Sequence, residues 1–103
     1  MREDNAVNTS SLLFLDEASE FIDSIPDKPK AKVLAALKTM ETNFDLVYTK
    51  TLRGPIRELI VQKYRIIFFV KEGTIYVVFG FIKKSQKTPL REIKNAERIY
   101  KII

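Results

Sequence analysis

From Ile56 to Ile82 the chain is apolar in short runs rich in β-branched and aromatic residues, the composition of strands rather than helices. Ile56–Val61, Tyr64–Lys71 and Thr74–Ile82 are read as three strands in a meander, turning at Gln62-Lys63 and Glu72-Gly73. On the middle strand, alternation places Tyr64, Ile66, Phe68 and Val70 on one face and Arg65, Ile67, Phe69 and Lys71 on the other. The first set is uniformly apolar or aromatic and is expected to meet helices. The second is mixed and is expected to form a concave surface open to a ligand. On the preceding strand Arg57, Leu59 and Val61 share one face, and Ile56, Glu58 and Ile60 the other. Alternation alone leaves open whether Arg57 lies beside Arg65.

Upstream the period becomes helical. Ser11–Leu15 reads as a short strand, and Asp16 is placed to cap a helix whose Ala18, Phe21, Ile22 and Ile25 form one stripe. Pro26-Asp27-Lys28-Pro29 ends that helix and begins another, from about Pro29 to Asn43, with Val33, Leu34, Leu37, Met40 and Phe44 on its apolar side. The two make an αα-hairpin, whose stripes are expected to pack on the sheet. Tyr48–Leu52 extends weakly before a turn at Arg53-Gly54-Pro55. Beyond the last strand, Thr88 suits a helix N-cap and Pro89 a first helical residue. The helix that follows carries Leu90, Ile93, Ala96 and Tyr100 along one side. The expected fold is α+β, in the order βααβββα: an antiparallel sheet, an N-terminal helical hairpin and a C-terminal helix, with the helices on one face.

Length fits one domain, residues 1–103, whose first eight residues are expected to fray. No apolar run approaches the roughly 18 residues of a membrane span. With no signal-peptide pattern and no cysteine, a cytoplasmic protein is expected. The chain has no histidine either, which removes zinc sites, thiol nucleophiles and imidazole bases. No metal or other cofactor is expected. The net charge of +5 is unevenly spread: residues 1–45 balance to −4, residues 46–91 to +8 and residues 92–103 to +1. Such a split marks the strand-rich part as a polyanion face, with nucleic acid as the leading partner.

The strand ending at Ile82 runs into Lys83-Lys84-Ser85-Gln86-Lys87-Thr88-Pro89. It delivers three lysines beside a helix N-terminus, and ammonium groups with unpaired backbone N–H groups suit phosphate. A lysine pair on a loop is by itself most often merely solvated.

Four segments, Leu52-Arg53-Gly54, Arg57-Glu58-Leu59, Tyr64-Arg65-Ile66 and Gly80-Phe81-Ile82-Lys83-Lys84-Ser85-Gln86-Lys87-Thr88-Pro89, occur in this order. With Phe14-Leu15-Asp16-Glu17-Ala18 and Phe21-Ile22 before them and Glu92-Ile93 and Ala96 after, the chain resembles the RelE/ParE toxin superfamily, most nearly its phage-derived HigB-like branch. The likeness covers nearly the whole chain, and its most specific part is the lysine string. It implies the toxin of a type II toxin–antitoxin pair, which enters the ribosomal A site, cuts mRNA and is neutralised by a cognate antitoxin. The outer faces of the αα-hairpin, where Glu17, Glu20 and Asp23 mix with Lys30 and Lys38, are an expected place for that partner. The alternatives are a ParE-like toxin that binds DNA gyrase without cutting, and a non-toxic basic interaction module.

Metal-free RNA cleavage through the ribose 2′-OH needs a base, a stabiliser of phosphate charge and a proton donor for the departing 5′-oxygen. Here Arg, Lys, Glu and Tyr must cover these tasks. Arg65 and Lys84 are assigned to the scissile phosphate, with Arg57 as a further source of charge. Lys83 and Lys87 are assigned to flanking phosphates, and Arg53, Gln86 and Thr88 to RNA binding. Tyr100, on the apolar stripe of its helix, is expected in the core. In the HigB-like pattern an arginine usually follows the Glu-Leu pair, whereas here Ile60 follows Glu58-Leu59. Losing one such charge stabiliser costs about 3–4 kcal/mol in a transition state. Ile60 shares its face with Glu58, which favours the substrate side for position 60.

Overall fold

The structure, a computed structural model, describes residues 11–84 and 87–103. The expected fraying of Met1–Asn8 lies outside the described residues. In chain order the elements are β1 (Ser11–Phe14), α1 (Asp16–Ser24), α2 (Asp27–Thr42), a 3-10 turn (Phe44–Leu46), β2 (Thr49–Arg53), β3 (Ile56–Val61), β4 (Tyr64–Lys71), β5 (Thr74–Ile82) and α3 (Leu90–Ile102). The α+β fold is as expected, and β3, β4 and β5 have the bounds read from their composition. The weakly extended stretch before Arg53 joins them as β2. Among the described residues the sheet has five strands in the order β1-β5-β4-β3-β2, antiparallel except that β1 runs parallel to β5.

Local chemistry explains most boundaries. Glu72 and Gly73 both have positive φ, the mirror-image turn whose twist matches a two-residue hairpin. Helix α2 begins at Asp27, two residues earlier than Pro29, because a proline in the first turn loses only an N–H that would be unpaired there. Asp16 lies inside the first turn of α1, with Leu15 at the N-cap. There its charge still complements the helix dipole.

The sheet is covered on both faces. Tyr64, Ile66 and Phe68 of β4 pack with Leu59, Ile75 and Val77 beneath α1 and α2, whose Ala18, Ile22, Ile25, Val33, Leu37 and Met40 complete that core. Leu34, expected on the same stripe, is exposed. On the opposite face Ile67 and Phe69 pack with Ile56, Val78, Phe79 and Ala96, joined by Ile99 and Tyr100 of α3. This corrects the expectation of helices on one face only. Ile67 and Phe69 are too large and apolar to be left as an open ligand surface, and α3 covers them. Only the two ends of that β4 face, Arg65 and Lys71, are polar.

Strand β5 carries one irregularity. Ile67 pairs with Phe79 and Phe68 with Val77, so Val78 is an extra residue in β5, and Val78 and Phe79 both serve the α3 core. Gly80 then returns to the α1 face. A Cβ on Gly80 would run into the Phe21 ring and lie 2.9 Å from Ile66 Cδ1. Gly80→Ala is therefore expected to lower stability by about 1–3 kcal/mol through overpacking, measured by urea unfolding. An unchanged midpoint would mean that Phe21 does not press on β5.

Candidate nucleic-acid interface

The polar centre of the molecule lies at the end of the sheet where β3 turns into β4 and β5 leaves for α3. Ile60 pairs directly with Arg65, and Phe81 flanks Arg65 on its other side. Two residues before Ile60, Glu58 faces the same way and is wholly buried. Glu58 Oε1 accepts a 2.5 Å hydrogen bond from the Thr88 hydroxyl. Its Oε2 lies 4.0 Å from Arg65 Nε, and both atoms are buried with no hydrogen bond of their own. Arg65 Nη1 donates to the carbonyls of Gln62 at 2.6 Å and Tyr64 at 3.1 Å. Gln62 turns that carbonyl from a left-handed backbone with φ 55°. The guanidinium is thus fixed by its own hairpin and faces a carboxylate.

Thr88 was expected to cap α3. The helix instead begins at Leu90 with Pro89 at its N-cap and no side-chain cap bond. The Thr88 hydroxyl is turned to the Glu58 carboxylate, to which it donates.

Around Arg65 the ladder gathers lysines. The Lys83 amide donates to the Lys63 carbonyl at 2.9 Å, which carries the β4–β5 pairing past Ile82. Lys84 and Lys87 are exposed and Lys83 half-buried. The lysine string and Arg65 are therefore brought to one end of the sheet. Gln86 lies outside the described residues. Sequence reasoning passed over Lys63, whose Nζ lies 5.7 Å from the Tyr64 ring centre. Its place in the β3–β4 turn, two residues before Arg65, was the available signal.

Two of the expected residues are elsewhere. Arg57 pairs with Phe68 and faces the α2 side of the sheet, opposite to Arg65. Its Nη1 and Nη2 donate to the hydroxyls of Thr51 at 2.8 Å and Thr49 at 2.7 Å, and its Cζ lies 5.4 Å from the Phe44 ring centre. It is not brought together with Arg65 and Lys84, because one position along a strand reverses the face. Arg53 lies four positions from the Arg65 level, where it forms a forked pair with Glu97 of α3 at 2.6 and 2.8 Å. Tyr100 stands edge-on to Phe69 at 4.9 Å. Lys71 covers its ring at 4.5 Å and donates to the last carbonyls of α3. Tyr100 is thus far from Arg65 and part of the core face.

A cavity of about 390 Å³ opens beside Gly80, lined by Glu17, Glu20, Phe21, Phe79 and Glu92. Three carboxylates make it unsuited to a polyanion. The Arg53–Glu97 pair has a pH signature of its own. The hydrogen bond from Arg53 is the main cause holding the Glu97 carboxyl below its ordinary value of 4.5, with burial opposing and Arg53, Lys101 and Lys94 adding attraction. A lowered carboxyl stabilises the fold above its unfolded-state value, and this is lost as pH falls through the folded one. Glu97→Gln should therefore lower the Tm slightly at neutral pH, with a difference that shrinks as pH falls below about 4.5 and disappears in stronger acid. A difference independent of pH would show that charge pairing is not its source.

Known structures share this fold. The archaeal RelE–RelB complex from Pyrococcus horikoshii aligns at 14% identity and a TM-score of 0.67, covering 76% of this chain and 99% of that one. The RelB–RelE antitoxin–toxin complex from Methanococcus jannaschii aligns at 15% identity and a TM-score of 0.58, covering 81% and 95%. The chromosomal ParDE toxin–antitoxin system from P. aeruginosa aligns at 15% identity and a TM-score of 0.61, covering 75% and 99%. No protein of curated function matches the sequence. The sequence pattern of the family described as phage-derived protein Gp49-like does match, over residues 20–101. By that match the chain belongs to the phage-derived Gp49-like family, and its fold is that of the RelE/ParE toxins.

Proposed function

We propose that this protein is the toxin of a type II toxin–antitoxin pair and a metal-independent endoribonuclease acting on mRNA in the ribosomal A site. The observation that carries the proposal is the juxtaposition of Arg65, fixed by its hairpin, with the lysines that leave β5. Arg65 presents a planar guanidinium to the scissile phosphate, and Lys84 adds an exposed ammonium beside it. Lys83 and Lys87, with Lys63 across the ladder, hold flanking phosphates. A lysine crowded by other cations gives up its proton more readily, which suits this centre to proton exchange without histidine. Arg57, on the opposite face, has no part in the proposed centre. The cognate antitoxin is the expected protein partner, since RelE–RelB is an antitoxin–toxin complex of the same fold.

The test adds purified protein to translating ribosomes and maps the new mRNA ends. Cleavage should depend on A-site occupancy and fall about a hundredfold in Arg65→Lys, which keeps the charge and removes the fork. Absence of A-site-dependent ends at every dose overturns the nuclease. One observation favours a second reading, a gyrase-binding toxin: Ile60 stands where the HigB-like pattern has arginine. Inhibition of supercoiling without cleavage would select it.

Ile60 is half-buried directly across from Arg65, so an arginine there would add a second guanidinium on the same face. Ile60→Arg is expected to raise cleavage by about tenfold or more, with the Tm little changed. A variant as stable as the parent that cuts no faster would show that position 60 does not limit the reaction.

A further inference from the structure

Glu58 has no obvious reason to be charged. Its neighbours along β3 on the same face are Ile56 and Ile60; across the ladders it pairs with Ile67, beyond which lies Phe79, and with Lys50 of β2, an exposed residue. An apolar residue would fill this place, and burying a charge there is expensive. Nor does Glu58 reach solvent, so it cannot itself touch RNA or take a proton from it. Its two oxygens point at two different parts of the candidate interface. One accepts from Thr88 and the other faces the buried, unbonded Nε of Arg65.

We infer that Glu58 is a positioning residue whose buried carboxylate couples Arg65 to the lysine-bearing connection between β5 and α3. That connection is fastened at one end by the Lys83 amide on the Lys63 carbonyl and at the other by Thr88 on Glu58. Only residues 83–87 lie between Ile82 and Thr88, and three of them are lysines. Holding both ends limits how far Lys83 and Lys87, next to the two fastenings, can move from Arg65. The Oε2 half of the carboxylate sets the guanidinium from its inner edge, while the two carbonyls hold Nη1. The role in cleavage rests on the nuclease proposed above; the mechanical coupling does not.

Two substitutions separate the halves. Glu58→Gln keeps an acceptor for Thr88 but turns an amide NH₂ toward Arg65 Nε–H, donor against donor. Thr88→Val removes the hydroxyl and leaves the carboxylate facing Arg65, and Thr88→Ser restores the donor. Hydrogen exchange is measured by NMR at Arg65 Nε–H and at the amides of Lys83, Lys84, Lys87 and Leu90. In Glu58→Gln the Arg65 signal should exchange about tenfold faster. In Thr88→Val the loop amides should do so, and Thr88→Ser should recover the parent's values. In the cleavage assay Glu58→Gln should lower kcat about tenfold or more with KM changed less than about threefold, and Thr88→Ser should rescue Thr88→Val. If Glu58→Gln does not fold, the Thr88 pair still decides the loop half. Unchanged exchange at both places in folded variants overturns the coupling. Altered exchange with unchanged kcat overturns its part in cleavage, whereas a parent protein that never cuts mRNA overturns only the nuclease.

Discussion

Four consecutive residues of β4, from Ile66 to Phe69, are wholly buried. Because side chains alternate, this one strand holds two cores at once: Ile66 and Phe68 bind the helical hairpin, while Ile67 and Phe69 bind α3. Each such side chain contributes about 1.5–3 kcal/mol by leaving water. Together they match much of the roughly 5–15 kcal/mol by which a domain of this size is stable. The three layers are therefore not independently removable. Loss of either helical layer would expose half of the same strand.

The interface takes its shape from this burial. Arg65 is the residue immediately before the buried run, so its backbone is held as firmly as the core. Its side chain, 15% exposed, lies at the margin of what α3 covers. Glu58 occupies the corresponding margin on β3, beside Ile67. Arg65, Lys63 and the lysines that follow β5 share one end of the sheet, and those lysines arrive there because β5 ends there. A rigid platform with a cationic rim is an arrangement that recognises a backbone of phosphates more readily than a particular base.

The strands of the meander were legible because β-branched and aromatic runs, broken by Gln62-Lys63 and Glu72-Gly73, allow little else. The face covered by α3 was not. An amphipathic helix announces an apolar stripe without saying which side of a sheet it will meet, and Arg65 and Lys71 at the ends disguised the Ile67–Phe69 face as mixed. The separation of Arg57 from Glu58 was implicit in alternation, but the side belonging to Arg65 depended on pairing between strands. Thr88 showed the limit of a local rule. Its cap signal was sound for the neighbouring residues, but its hydroxyl is turned to a carboxylate thirty positions away in sequence. The parallel β1 likewise rests on contacts with β5 that no short window contains.

The extra residue Val78 sets the phase of everything downstream in β5. Without that bulge, Val78 being paired as an ordinary ladder residue, Phe81 would fall on the hairpin side and Gly80 would no longer stand against Phe21. With it, Phe81 comes to Arg65, and the chain leaves the sheet in step with the cationic rim. A change of one residue in length would consequently mean different things at different places in β5. Removing Val78 would leave regular alternation in the same phase, whereas removing a paired residue while the bulge stays would turn the strand's end inside out.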